Sequence, residues 1–113
     1  MLEIKHRFHG YNSLKTVHRK GLTVRSSQMS LKFDRRDQQR PYRVAVVVSR
    51  KVHKSAVVRN RIRRRIYEVI RRYPSGIPGG YDLVFMVYSD ELATLKPAQL
   101  QELVAGLLQK ALQ

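Results

Sequence analysis

Ten of the 23 residues from position 50 to 72 are basic, and only one, Glu68, is acidic. Like charges at this density repel one another, whereas a merely solvated helix face interleaves both signs. The same block carries a helical apolar stripe. At about 100° per residue, Val58, Ile62, Ile66, Val69, Ile70 and Tyr73 fall on one side of a wheel. The spacing predicts a helix over about 57–73 that lies with this stripe on a sheet and offers the rest as cationic surface. Arg59, Arg63 and Arg71 flank one side of the stripe. Arg61, Arg64 and Arg72 line the other, with Arg65 close to its edge. The run Pro74-Ser75-Gly76-Ile77-Pro78-Gly79-Gly80 ends the helix.

The rest of the chain is less extreme. Residues 1–49 carry a net +8 and residues 73–113 a net −2, against +15 for all 113 residues. A single domain over 1–113 fits this length, and a hydrophobic fraction of 42% supports a core without staples. The charge excess points to a polyanionic partner. Cysteine is absent, which excludes a disulfide framework, a thiolate zinc site and a cysteine nucleophile, and fits a reducing, cytoplasmic setting. The apolar runs at 44–48 and 83–88 are far shorter than the roughly 20 residues that span a bilayer. The start, Met1-Leu2-Glu3-Ile4-Lys5-His6-Arg7, is too polar for a signal peptide. No membrane partner is expected.

Asn12 and Ser13 are good caps for a short helix over 14–20, stopped by Gly21, with Leu14 and Val17 inward. From 22 to 33 the pattern alternates, clearest at Met29, Leu31 and Phe33, and a bend near Ser26-Ser27 would divide it into two strands. Residues 34–40 are polar and read as a hairpin loop. A strand over 42–49 places Tyr42, Val44, Val46 and Val48 on one face and Arg43, Ala45, Val47 and Ser49 on a less apolar, more open one. Residues 81–88 are apolar on both faces after Asp82, as in a strand covered on both sides. Leu100, Leu103, Val104, Leu107, Leu108 and Ala111 mark an amphipathic helix with Pro97 in its first turn and Thr94 as its cap. The class is α+β, one sheet with helices packed on it.

Hydrolytic chemistry on the protein would need clustered carboxylates for a metal, or a poised histidine and nucleophile. The acids are scattered. Asp34/Asp37 and Asp90/Glu91 are close in sequence but read as solvated turn formers, and His6/His9 have no carboxylate or thiol nearby. The Gly76-Ile77-Pro78-Gly79 match to a KH-type loop fails, because Pro78 removes an N–H and a strand follows. No phosphate-cradling glycine loop is present. The chain therefore nominates no catalytic residue, no metal ligand and no small-molecule substrate. What remains is phosphate binding by Arg50, Lys51, Lys54, Arg59, Arg61, Arg63 and Arg64, with the Asn60 amide among them. Planar guanidinium forks suit bidentate phosphate contact, and the backbone N–H groups at the helix start add an anion site. His18 and His53, in basic surroundings, suit phosphate or base rather than metal.

Ser49-Arg50-Lys51, then Ala56-Val57-Val58-Arg59-Asn60-Arg61-Ile62-Arg63-Arg64, closely resembles the signature of the bacterial ribonuclease P protein subunit. That signature reads S-[KR]-K, a short spacer, then A-V-x-R-N-R-x-[KR]-R, and the resemblance extends over nearly the whole chain. It implies an α-β sandwich of ribosomal-protein type, ordered α-β-β-β-α-β-α. It also implies a left-handed crossover through the arginine helix, where the general rule favours the right-handed one. By the same resemblance, the chain binds a catalytic RNA and assists Mg²⁺-dependent removal of the 5′ leader from precursor tRNA. The RNA and its ions do the chemistry. Arg50, Lys51, Lys54, Arg59, Asn60, Arg61, Arg63 and Arg64 would meet the catalytic RNA. Leu14, His18 and Arg43 would line a cleft for the single-stranded leader. Leu14 and His18 stand where phenylalanine is common, Tyr67 where a further arginine is common, and Arg65 where an apolar residue is common, which would move a cation outward. A structural RNA-binding protein of ribosomal type is the alternative, and a self-sufficient nuclease a distant third.

Overall fold

The computed structural model of the chain describes residues 21–35 and 39–112. The helix expected over 14–20, with Leu14 and His18, lies outside them. Four strands form one sheet: β1 (Leu22–Arg25), β2 (Met29–Arg35), β3 (Arg43–Val47) and β4 (Tyr81–Val87). Two helices accompany it, α1 (Ala56–Arg71) and α2 (Pro97–Ala111), with a short 3-10 turn at Asp90–Ala93 between β4 and α2. The class is α+β, as expected.

The bend near Ser26-Ser27 does divide the first alternating stretch. Ser26 N–H donates to the Met29 carbonyl at 2.9 Å, and the Ser26 hydroxyl donates to the same carbonyl at 2.9 Å. These bonds fold β1 back onto β2 antiparallel, with Arg25 opposite Ser30 and Leu22 opposite Phe33. The expected hairpin at 34–40 does not form. The sheet order is β1-β2-β4-β3, so β4 separates β2 from β3. The physical reason lies in β4 itself. Leu83, Val84 and Phe85 are all fully buried, and a strand that is apolar on both faces belongs at the centre of a sheet. It pairs antiparallel with β2 and parallel with β3. Parallel neighbours need a long crossover, and α1 supplies it.

Leu31, Val44, Val46, Leu83 and Phe85 share one face of the sheet and form a single core with both helices. Ile62, Ile66 and Ile70 of α1 are buried there, and Val58, Val69 and Tyr73 pack at the margin. The α2 stripe of Leu100, Val104, Leu107, Leu108 and Ala111 is buried as its periodicity predicts. Helix α1 packs toward β3, α2 toward β1 and β2, and the two helices touch. On the opposite sheet face Arg43, Ala45 and Val47 are half-buried rather than open.

Helix α1 starts at Ser55, whose hydroxyl accepts from Val58 N–H at 3.4 Å. Beyond its end, Gly76 takes φ 69°, a left-handed conformation that costs other residues about 1–2 kcal/mol. Thr94 does not cap α2. It closes the 3-10 turn, its N–H and hydroxyl both donating to the Glu91 carbonyl, while Lys96 precedes Pro97 at the helix start. Pro97 has no N–H to satisfy there, and α2 begins without a side-chain cap. The acids Asp90 and Glu91 sit in the first turn of the 3-10 segment, in keeping with their reading as turn formers.

The isoleucines fix where the arginines stand. Ile66→Ala is expected to lower the unfolding free energy by about 2–5 kcal/mol. Val57→Ala, at a position 65% exposed, should change it by less than about 0.5 kcal/mol. Urea unfolding of both variants measures the contrast.

Candidate nucleic-acid interface

The lead-in from β3 to α1 is tied by its own groups. Val52 N–H donates to the Ser49 carbonyl at 3.0 Å. Ser55 N–H donates to His53 Nδ1 at 3.0 Å. Arg59 reaches back from the first turn of α1, donating through Nη1 to the carbonyls of His53 at 2.9 Å and Lys54 at 2.8 Å. Arg59 therefore keeps its charge at the interface but spends one nitrogen holding the loop that carries Arg50, Lys51 and Lys54. Those three side chains are exposed, and none has an ion-pair partner among the described residues.

Along α1 the charge is unevenly compensated. Glu68 takes Arg71 bidentately, at 3.0 and 2.9 Å, and Arg72 at 3.4 Å. The Arg71 guanidinium holds the Glu68 carboxyl well below its usual range, at about 2. One turn earlier no described residue plays this part. Arg61 and Arg64 are exposed and have no acidic partner among the described residues. Arg63 donates to Asn60 Oδ1, which leaves the Asn60 NH₂ group as a donor at the surface. The first turn of α1 contains no acid, although the helix dipole makes that end positive and favours one. Arg59 lies in the first turn and Arg61, Arg63 and Arg64 in the second and third, so cationic side chains continue from the positive helix end, a combination that an anion relieves.

Two departures from the arginine pattern are structural. Arg65 does not move outward as expected. It is half-buried, donating through Nη1 to the Leu92 carbonyl at 2.6 Å and through Nη2 to the Leu95 carbonyl. The 3-10 turn leaves these carbonyls without helical partners, and the guanidinium fork satisfies two at once. Tyr67 offers its hydroxyl to Val46 N–H at 3.1 Å, on the outer side of β3. No signal in the sequence marks either contact, because both depend on which backbone groups neighbouring elements leave unpaired.

Arg43 stands apart, on the sheet face opposite the helices. Its Nε and Nη2 donate to the two carboxylate oxygens of Asp82, both at 2.8 Å. Asp82 is 3% exposed and is the partner that sequence reasoning missed. Leu14 and His18, named with Arg43 for the leader cleft, are outside the described residues. Among the described residues no three histidine, aspartate or glutamate side chains converge as a metal site, and no helix is long and apolar enough to cross a membrane.

A sheet-backed helix that buries isoleucine and exposes arginine defines a small α+β domain with a strongly cationic helix. The comparisons with known proteins are specific. The family model described as Ribonuclease P matches residues 2–112, and the chain belongs to that family. A "Ribonuclease P protein component" of Roseiflexus castenholzii is 52% identical over 56 residues, 50% of this chain and 46% of that protein. One from Brevibacillus brevis is 35% identical over 81 residues, 72% of this chain and 64% of that protein. The matched stretch thus spans about half of the length of the first of these relatives. The RNase P protein of Staphylococcus aureus superposes with a TM-score of 0.81 at 22% identity, covering 96% of this chain and 98% of that one. That of Thermotoga maritima gives 0.79 at 24% identity, covering 92% and 96%. These likenesses establish the shared fold.

The division between structural and interface arginines is testable. Arg65→Ala should cost about 1.5–3 kcal/mol of stability, as for hydrogen bonds to a charged group, read from denaturant unfolding. Its effect on the salt dependence of RNA binding should be no more than a fraction of a charge.

Proposed function

We propose that this chain is the RNA-binding subunit of a ribonuclease P holoenzyme. In this reading it grips the catalytic RNA with Arg50, Lys51, Lys54, Asn60, Arg61, Arg63 and Arg64. Arg59 holds the loop in register and adds its charge. The sheet face bearing Arg43, together with Leu14 and His18, takes the single-stranded 5′ leader of precursor tRNA. The holoenzyme then removes the leader by endonucleolytic hydrolysis, giving the mature tRNA 5′ end in the cytoplasm. In this reading Mg²⁺ enters as an ion of the RNA.

The observation that carries the proposal is the cationic N-terminal part of α1, whose arginines have no acidic partner among the described residues. Glu68 neutralises the C-terminal turns, while Arg61, Arg63 and Arg64 occupy the second and third turns of a helix that has no acid before Glu68. Folded RNA supplies the missing anions, and the protein's share of the work is affinity and positioning. Hydrolysis belongs to the RNA.

Reconstitution tests this directly. At limiting Mg²⁺, the protein should stimulate cleavage of precursor tRNA by a matched ribonuclease P RNA. Protein with Mg²⁺ alone should leave the substrate intact. Binding to the RNA without any gain in cleavage would favour a structural RNA-binding role of ribosomal type. The contacts have their own signature. Each phosphate-bound arginine contributes roughly 0.7–0.9 to the slope of log affinity against log salt. Arg61→Ala combined with Arg63→Ala should therefore flatten that slope by about 1.5, whereas an unchanged slope would place these side chains away from phosphate.

A further inference from the structure

Between α1 and α2 runs an open groove of about 540 Å³. It lies on the helical side of the sheet, away from Arg43. Its lining joins two kinds of residue: apolar ones from both helices, including Val69, Tyr73, Leu100 and Ala105, and the arginines Arg61, Arg64 and Arg72. Glu68 stands on the same wall, already engaged with Arg71 and Arg72. Arg61 and Arg64 therefore leave excess positive charge beside an apolar floor.

The chemistry of an occupant follows from this pairing. An acidic peptide would satisfy the arginines and leave the floor wet. A neutral apolar segment would cover the floor and crowd guanidinium groups that gain no anion. A nucleotide meets both demands, with a flat base and a phosphate a few ångströms away. The groove is also within the roughly 300–1,000 Å³ typical of sites for small ligands. Bases in single-stranded RNA are free to leave the stack and lie on apolar, aromatic or guanidinium surfaces, whereas those of a duplex are not.

We propose that this groove seats one unstacked nucleotide of a single-stranded RNA segment, its base on the floor formed by Val69, Tyr73 and Leu100 and its phosphates on Arg61 and Arg64. The proposal deepens the RNA-binding reading and rests on it. It gives α1 two modes of contact, electrostatic along its first turns and base-selective along the flank that faces α2.

The test uses the full chain and pentauridylate as the probe. Methyl NMR signals of Val69, Leu100 and Ala105 should shift on titration with pentauridylate. They should move far less with a blunt RNA duplex or an oligoglutamate peptide. Ala105→Phe, which projects a ring into the groove and leaves every charge in place, should weaken pentauridylate binding roughly tenfold with an unchanged salt slope. Unmoved methyl signals at saturating RNA would overturn the proposal, as would equal shifts with oligoglutamate or the duplex. The wild-type titration stands alone if Ala105→Phe fails to fold. A protein that still stimulates precursor cleavage while its groove signals stay unmoved would defeat the groove alone. A protein that neither binds nor stimulates the catalytic RNA would defeat the functional reading beneath it.

Discussion

The structure depends on the contact between the isoleucine stripe of α1 and the sheet. Ile62, Ile66 and Ile70 reach the core, and each such side chain contributes about 1.5–3 kcal/mol when fully buried. Repulsion between neighbouring exposed guanidinium groups costs only a few tenths of a kcal/mol per helical pair, and salt reduces it further. The apolar term wins residue for residue. A helix of this charge would be marginal alone, but on β3 and β4 it is stable and its arginines are held at fixed positions.

Much of this was legible in the sequence. The two amphipathic helices, the double-sided burial of β4 and the bend at Ser26-Ser27 follow from periodicity and turn chemistry, which are local. Strand pairing was not legible. Residues 34–40 look like a hairpin loop because they are polar and lie between two strands, yet β4 takes the place beside β2. That preference is a tertiary one: β4 is apolar on both faces and takes a place between two neighbours, and nothing local in residues 34–40 shows this. Thr94 was misplaced for a similar reason, as the 3-10 turn before α2 leaves little periodic trace in four residues.

Of the interface, the sequence discloses the residue types but not their division of labour. Arg59, Arg61 and Arg65 are identical in composition and differ in what lies within reach of a long side chain. Arg65 meets two carbonyls left over by the 3-10 turn, Arg59 meets two in the lead-in, and Arg61 is exposed with no partner among the described residues. Helical-wheel position placed Arg61, Arg64 and Arg72 together on one flank, and the lining of the groove agrees. The wheel could not show that Asp82 waits across the sheet for Arg43.

The hydroxyl of Tyr67 has a consequence beyond the arginine pattern. As the last strand in the sheet order, β3 has a rim that invites strand addition from another molecule. By occupying the Val46 N–H, Tyr67 takes away one of the rungs such an intruder would use. Through one hydroxyl, an aromatic side chain of the crossover helix thus makes that rim a poorer template for a second copy of the chain.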